Sequence, residues 1–213
     1  MKKYEFKCKD GTVKQYDFIS KFYNGFAAVE QNGKWGYIDE EGNEICELKY
    51  EFPRFNNRKS PFRFSEGYVG VGIPKGRFLR FGYIDEKGKE VCPFEYTAVC
   101  DFRNGLALVR DEKFKWSVIN KKFETVTKRK YDYICNFYMG LAVVKLDGLF
   151  GFINESCEEM CELKYNYMSA FSHLGYAQID FEGSDSDKLY WIDKQGKVYY
   201  TYYDTNEMYP LNE

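Results

Sequence analysis

One pattern recurs five times along this chain, and few folds accommodate it. It runs Phe, two variable residues, Gly, a short apolar stretch, a tight turn, an aromatic-rich run such as Trp35-Gly36-Tyr37-Ile38-Asp39, a second turn and a segment ending in Tyr. A fixed period of this length marks tandem units that cannot bury their apolar faces alone and must rest on one another. The opening glycines Gly25, Gly67, Gly105 and Gly140 are 42, 38 and 35 residues apart, and the fifth copy carries one extra residue before Gly175.

Each part of the pattern has a local physical reading. Leu106-Ala107-Leu108-Val109 and Leu141-Ala142-Val143-Val144 are apolar at every position, as a strand buried on both faces requires. Asn32-Gly33 and Asp147-Gly148 are two-residue hairpin turns, since both residues tolerate positive φ. Asp39-Glu40-Glu41-Gly42, Asp85-Glu86-Lys87-Gly88 and Asp193-Lys194-Gln195-Gly196 read as turns opened by an Asp side chain and closed by a left-handed Gly. The glycines Gly36, Gly82 and Gly151 inside the aromatic-rich run imply close approach of another group, read here as an aromatic ring of the adjacent unit. Helix periods and caps are absent.

The expected fold is therefore all-β: about five three-stranded antiparallel units in an open, curved, solenoid-like array, with a closed five-bladed propeller-like ring as the alternative. One domain over residues 1–213 is expected. It holds a half-unit at 4–18 and units at about 22–50, 64–96, 102–131, 137–165 and 171–203. The run Gly33-Lys34-Trp35-Gly36-Tyr37-Ile38-Asp39-Glu40-Glu41-Gly42 resembles the bacterial WG-repeat (KWG-repeat) family, and the likeness extends over about residues 4–200. That resemblance implies a repeat architecture and brings no catalytic residues.

Catalytic chemistry finds little support. Cys46, Cys92 and Cys161 each lie four residues after the same turn position, and Cys100 and Cys135 four residues after a unit-ending Tyr. Repeated positions of this kind suit small buried hydrophobes. Cys157 stands where other units have the turn Gly, Cys8 is isolated, and Cys157-Glu158-Glu159-Met160-Cys161 lacks metal-ligand spacing. His173 is the single histidine, so no His-based triad or multi-His site can be built. The expectation is a non-enzymatic chain without metal or cofactor. No secretion signal or membrane-spanning run is read, and a cytoplasmic location with free thiols is expected.

Function is sought where the repeat is broken. Residues 53–80 carry seven basic residues against Glu66, while 180–187 carries four acids and no base. Residues 53–130 sum to +9 and 131–213 to −9, so a total of −2 hides a bipolar chain. The candidate partner-binding residues are Arg54, Arg58, Lys59, Arg63, Lys75, Arg77, Phe78 and Arg80 on the basic side, and Asp180, Glu182, Asp185 and Asp187 on the acidic side. Arg and aromatics supply protein hot spots. The expected function is a protein-binding module, a class that includes an immunity protein or phage-type inhibitor of a nuclease or other effector. One alternative is an RNA or nucleic-acid module using residues 53–80, where the same residues suit phosphate contact and base stacking. A carbohydrate-binding repeat protein is the second alternative.

Overall fold

A computed structural model describes residues 3–52, 61–203, 205 and 207–211. It divides into two compact units, Met1–Lys113 with Asn120–Phe123, and Phe114–Ile119 with Glu124–Glu213. In the first, β1 (Tyr4–Lys7) and β2 (Val13–Tyr16) form a hairpin, and β3 (Phe18–Ile19), β4 (Phe26–Gln31) and β5 (Lys34–Asp39) form a sheet in that order. Next come the long hairpin of β6 (Tyr68–Lys75) and β7 (Phe78–Asp85), and β8 (Ala98–Val99) paired with β9 (Leu106–Arg110). After β10 (Trp116–Asn120), the second unit holds the sheet β11 (Tyr133–Ile134), β12 (Leu141–Leu146) and β13 (Leu149–Asn154). It ends in five strands: β14 (Tyr167–Met168), β15 (Tyr176–Asp180), β16 (Lys188–Asp193), β17 (Val198–Tyr202) and β18 (Tyr209–Pro210). Among the described residues the strands pair antiparallel, no sheet closes on itself and no helix occurs. The chain is all-β and built of tandem antiparallel units, as the repeat predicts.

The apolar strands are buried on both faces, and alternate residues serve different cores. In β4, Ala27 and Val29 join Tyr16 and Ile38 on one side. Ala28 joins Tyr37, Phe64, Val69 and Val71 on the other. The period of two along a strand thus lets one short run tie two layers together. Each buried Val or Leu contributes about 1.5–3 kcal/mol by leaving water.

The turn readings hold. Asn32 and Gly33 both have positive φ, as do Asp147 and Gly148. Asp39 Oδ1 accepts from the N–H groups of Glu41 (3.0 Å) and Asn43 (2.8 Å). Asp85 and Asp193 repeat that pair of bonds with Lys87 and Lys89, and with Gln195 and Lys197.

Two expectations of detail are corrected. The segment from Gly42 to Tyr50 is no regular third strand; it touches β5 at the isolated bridges Ile38–Glu44 and Trp35–Tyr50. The third strand of the sheet is instead β3, the pair that follows Tyr16, and β11 follows Tyr131 in the same way. The cause lies at the interior glycines. A Cβ at Gly36 would stand 3.0 Å from Leu48 Cδ1, and one at Gly151 would stand 3.1 Å from Leu163 Cγ. Gly36 and Gly151 make room for a leucine of their own unit and Gly82 for the Cys92 carbonyl oxygen, 2.8 Å from its Cβ position, and none of the three for a ring of the adjacent unit. The chain arches over that leucine and meets the strand only on either side of it.

Successive repeats are keyed through the second turn. A Cβ on Gly88 would overlap the Ile45 carbonyl oxygen of the preceding repeat, and one on Gly196 would stand 3.0 Å from the Met160 carbonyl oxygen. Two residues beyond that turn position, a glutamate accepts a hydrogen bond from the preceding unit-ending tyrosine. Tyr16 Oη donates to Glu44 at 2.8 Å, Tyr50 to Glu90 at 3.4 Å and Tyr131 to Glu159 at 2.7 Å. A base beside each tyrosine closes on the same carboxylate: Lys14 at 3.9 Å, Lys49 at 2.8 Å and Arg129 at 2.9 Å. Replacing Gly88 by Ala adds a methyl group at φ +73 against backbone that cannot yield. Chemical denaturation should therefore give Gly88→Ala a loss of about 3 kcal/mol or more. A loss under about 1 kcal/mol would mean that the two repeats are not held in this register.

Candidate functional site

The β6–β7 hairpin is longer than its counterparts because its register runs on through Ile73–Arg80, Pro74–Leu79 and Lys75–Phe78. Paired and alternate residues of a hairpin share a face, so Ile73, Lys75, Phe78 and Arg80 lie on one side. Phe78 at the tip is 68% exposed, and the Arg80 guanidinium stands 5.9 Å from its ring centroid. Lys75 and Arg77 are exposed and form no ion pair among the described residues. An exposed ring among three cations cannot be read as core packing.

Arg63 does not join that cluster. Arg63 stacks on Tyr23, its guanidinium 3.8 Å from the ring centroid. It also lies within electrostatic reach of Asp101, whose pKa burial raises while Arg103 and Arg63 oppose the rise. Ser65 bridges Tyr68 at the start of β6. The hairpin tip is seven residues further on, about 23 Å along an extended strand. Arg54, Arg58 and Lys59 lie outside the described residues.

The acidic loop is partly spent on its own shape. Asp180 Oδ1 accepts from Ser184 Oγ at 2.6 Å. Asp185 accepts from the Asp187 N–H at 3.0 Å and pairs with Lys188 at 3.2 Å, and both contacts hold its carboxyl below the usual range. Glu182 and Asp187 remain exposed. Phe181 turns inward onto Tyr165 and Tyr190. Beside it lies a pocket of about 330 Å³ lined by Lys164, Tyr165, Phe181, Glu182, Val198 and Leu211. The sequence reading singled out Glu182 alone of these six. The signal for the others is Val198, which stands two residues past the turn Gly where three other repeats have Glu44, Glu90 and Glu159.

The cysteines are free thiols, and their role is packing. Burial raises Cys46, Cys92, Cys157 and Cys161 to about 11. Cys135 acts as a serine does elsewhere in the repeat: its Sγ accepts from the Val143 N–H at 3.1 Å, as Ser20 Oγ accepts from Ala28 and Ser169 Oγ from Gln178. His173 is exposed, and among the described residues no three His, Cys, Asp or Glu side chains converge as a metal ion would require.

The family described as "WG containing repeat" matches residues 14–35, 35–57, 81–113 and 116–150, more than half of the chain. No curated protein matches. Among solved structures, BamB from Moraxella catarrhalis is 12% identical, with 95% of this chain and 80% of that one covered at a TM-score of 0.42. The AfRom2 CNH domain is 12% identical over 97% and 85% at 0.35. PorZ, an essential bacterial surface component of the type-IX secretion system of Porphyromonas gingivalis, is 12% identical over 92% of this chain and 29% of that one at 0.37. At these identities and scores, no activity or partner of those proteins transfers to this chain. The cytoplasmic location expected from the sequence is corrected: PorZ belongs to the bacterial surface, so the likeness is not confined to the cytoplasm, and free buried thiols do not fix a compartment.

A thiol of pKa 11 is about 0.1% thiolate at pH 8, against roughly a fifth for an unperturbed one. Iodoacetamide should therefore label Cys46, Cys92, Cys157 and Cys161 at least about 100-fold more slowly in the native chain than in urea. Native labelling of any of them at the unfolded rate would point to an activated cysteine.

Proposed function

We propose, on the premise that the chain belongs to the WG containing repeat family, that it is a non-enzymatic protein-binding module whose recognition element is the tip of the β6–β7 hairpin. The observation that carries this reading is Phe78, 68% exposed between Lys75, Arg77 and Arg80. A large ring left in water gains most when a partner covers it, and Arg beside an aromatic is the usual make-up of an interface hot spot. The cations select a partner with an acidic surface around an apolar socket, and they speed its encounter. The regular positions of the repeat are committed to packing, which leaves this tip free to vary with the partner. An inhibitor or immunity protein that occludes an effector is one form such a module takes.

The test places a photo-crosslinking residue, p-benzoylphenylalanine, at position 78 of the full chain in its native cells. Protein adducts are expected, and the identified partner should bind Phe78→Ala about 30-fold or more weakly, a hot-spot loss. The same substitution should leave stability within about 0.5 kcal/mol, since the ring touches solvent. Adducts to RNA alone, with affinity that falls steeply with salt, would replace this reading by the nucleic-acid one. A partner indifferent to Phe78→Ala would overturn it.

A further inference from the structure

The pocket in the second unit has the layout of a repeat-to-repeat link with one part exchanged. In the intact links, the turn residues Gly42, Gly88 and Cys157 are followed two positions later by Glu44, Glu90 and Glu159, each accepting a hydrogen bond from the hydroxyl of the preceding tyrosine. The last link keeps the same seating. Gly196 lies over the Met160 carbonyl and Cys161 Cβ, as Gly88 lies over Ile45 and Cys46. Two positions past Gly196, however, stands Val198. Thr125 is the other exception along the chain.

The exchange leaves two groups without the acid that serves their counterparts. Tyr165 is 2% exposed, yet its hydroxyl makes no hydrogen bond among the described residues. Lys164 corresponds to Lys49, which holds Glu90, but Lys164 forms no ion pair among the described residues; its ammonium lies 6.0 Å from the Tyr165 ring. Both line the pocket of about 330 Å³, together with the apolar Val198, Phe181 and Leu211. A phenol donor and an ammonium at the mouth of an apolar hollow are complementary to a carboxylate on a short apolar stem.

We propose that this pocket receives a glutamate side chain from a partner protein, followed by an apolar residue, seated as Glu44-Ile45, Glu90-Val91 and Glu159-Met160 are seated between repeats. The site belongs to the second unit and the hairpin to the first, and the two proposals stand or fall independently. Glu182 on the rim opposes an acidic ligand, which gives the test its sign.

The probe is an end-blocked peptide of residues 42–48 with Thr at the Cys46 position, the residue found at Thr127 in the third repeat. It is titrated into the isotope-labelled full chain by NMR. The peptide should shift resonances around Tyr165, and its analogue with Gln in place of the Glu44 residue should bind at least about tenfold more weakly, the loss of a charge-assisted hydrogen bond. Tyr165→Phe should also weaken it about tenfold while leaving the melting temperature unchanged, because its hydroxyl bonds to none of the described residues. Lys164→Met should weaken it about threefold, and Glu182→Gln should strengthen it about twofold, as a screened charge pair allows. Val198→Glu should fill the pocket from within, raise the melting temperature and abolish binding. Equal affinity for the Glu and Gln peptides, no binding to the wild-type chain, or tightening by Lys164→Met would overturn the proposal. So would binding of free glutarate as strong as that of the peptide, which would make the ligand a small dicarboxylate. Sedimentation showing self-association lost in Tyr165→Phe would make the occupant a second copy.

Discussion

The backbone of Ile45 lies so close to Gly88 that no side chain fits between them, and this contact sets how one repeat rests on another. The turn that follows the aromatic-rich strand reaches across to the arched segment of the preceding repeat. Once it is seated there, the residue two positions on falls beside the preceding tyrosine hydroxyl. The tyrosine–glutamate bond and its neighbouring base follow from the seating. A short repeat has little core of its own, so its strands hold only if both faces find a neighbour in the right register.

That seating explains features that otherwise look unrelated. Strand β4 is apolar on both faces because Ala27 and Ala28 point into different layers. Where the turn Gly is absent, Phe123 and Cys157 take up the left-handed conformation themselves, with φ of 63° and 59°. A non-glycine residue accepts that cost, about 1 kcal/mol, only where packing compensates it. Phe123 lies against Tyr68, Tyr83 and Phe102, and Cys157 is 2% exposed. The glutamates at 44, 90 and 159 are polar residues in a packed array, and each has its donor.

Much of the fold was legible in the residues because turns and buried strands obey local rules. Asn32-Gly33 and the aspartate-opened turns declare their backbone conformation by composition alone. The thiols at repeated positions declared packing. The third strand was misplaced because the decisive fact, Leu48 folded over Gly36, joins residues twelve apart that no local pattern connects. Among the site residues, Phe78 stood out as an aromatic within a basic run. The separation of Arg63 from Lys75 and Arg80 came only with the length of β6 and the stacking of Arg63 on Tyr23. The pocket at Tyr165 was hidden further, since Val198 means nothing until Tyr50 is seen bound to Glu90.

Tyrosine and glutamate act together across the three seams that carry Glu44, Glu90 and Glu159. A double-mutant cycle on Tyr131 and Glu159, using Tyr131→Phe, Glu159→Gln and both, measures that directly by equilibrium denaturation. Burial and the Glu159 contact already raise the Tyr131 hydroxyl above its ordinary pKa, so the proton stays on the phenol at neutral pH. The account predicts a coupling of about 1–2 kcal/mol, as expected for a hydrogen bond to a carboxylate. Additive losses, within about 0.3 kcal/mol, would contradict it, because the two residues would then stabilise the chain separately.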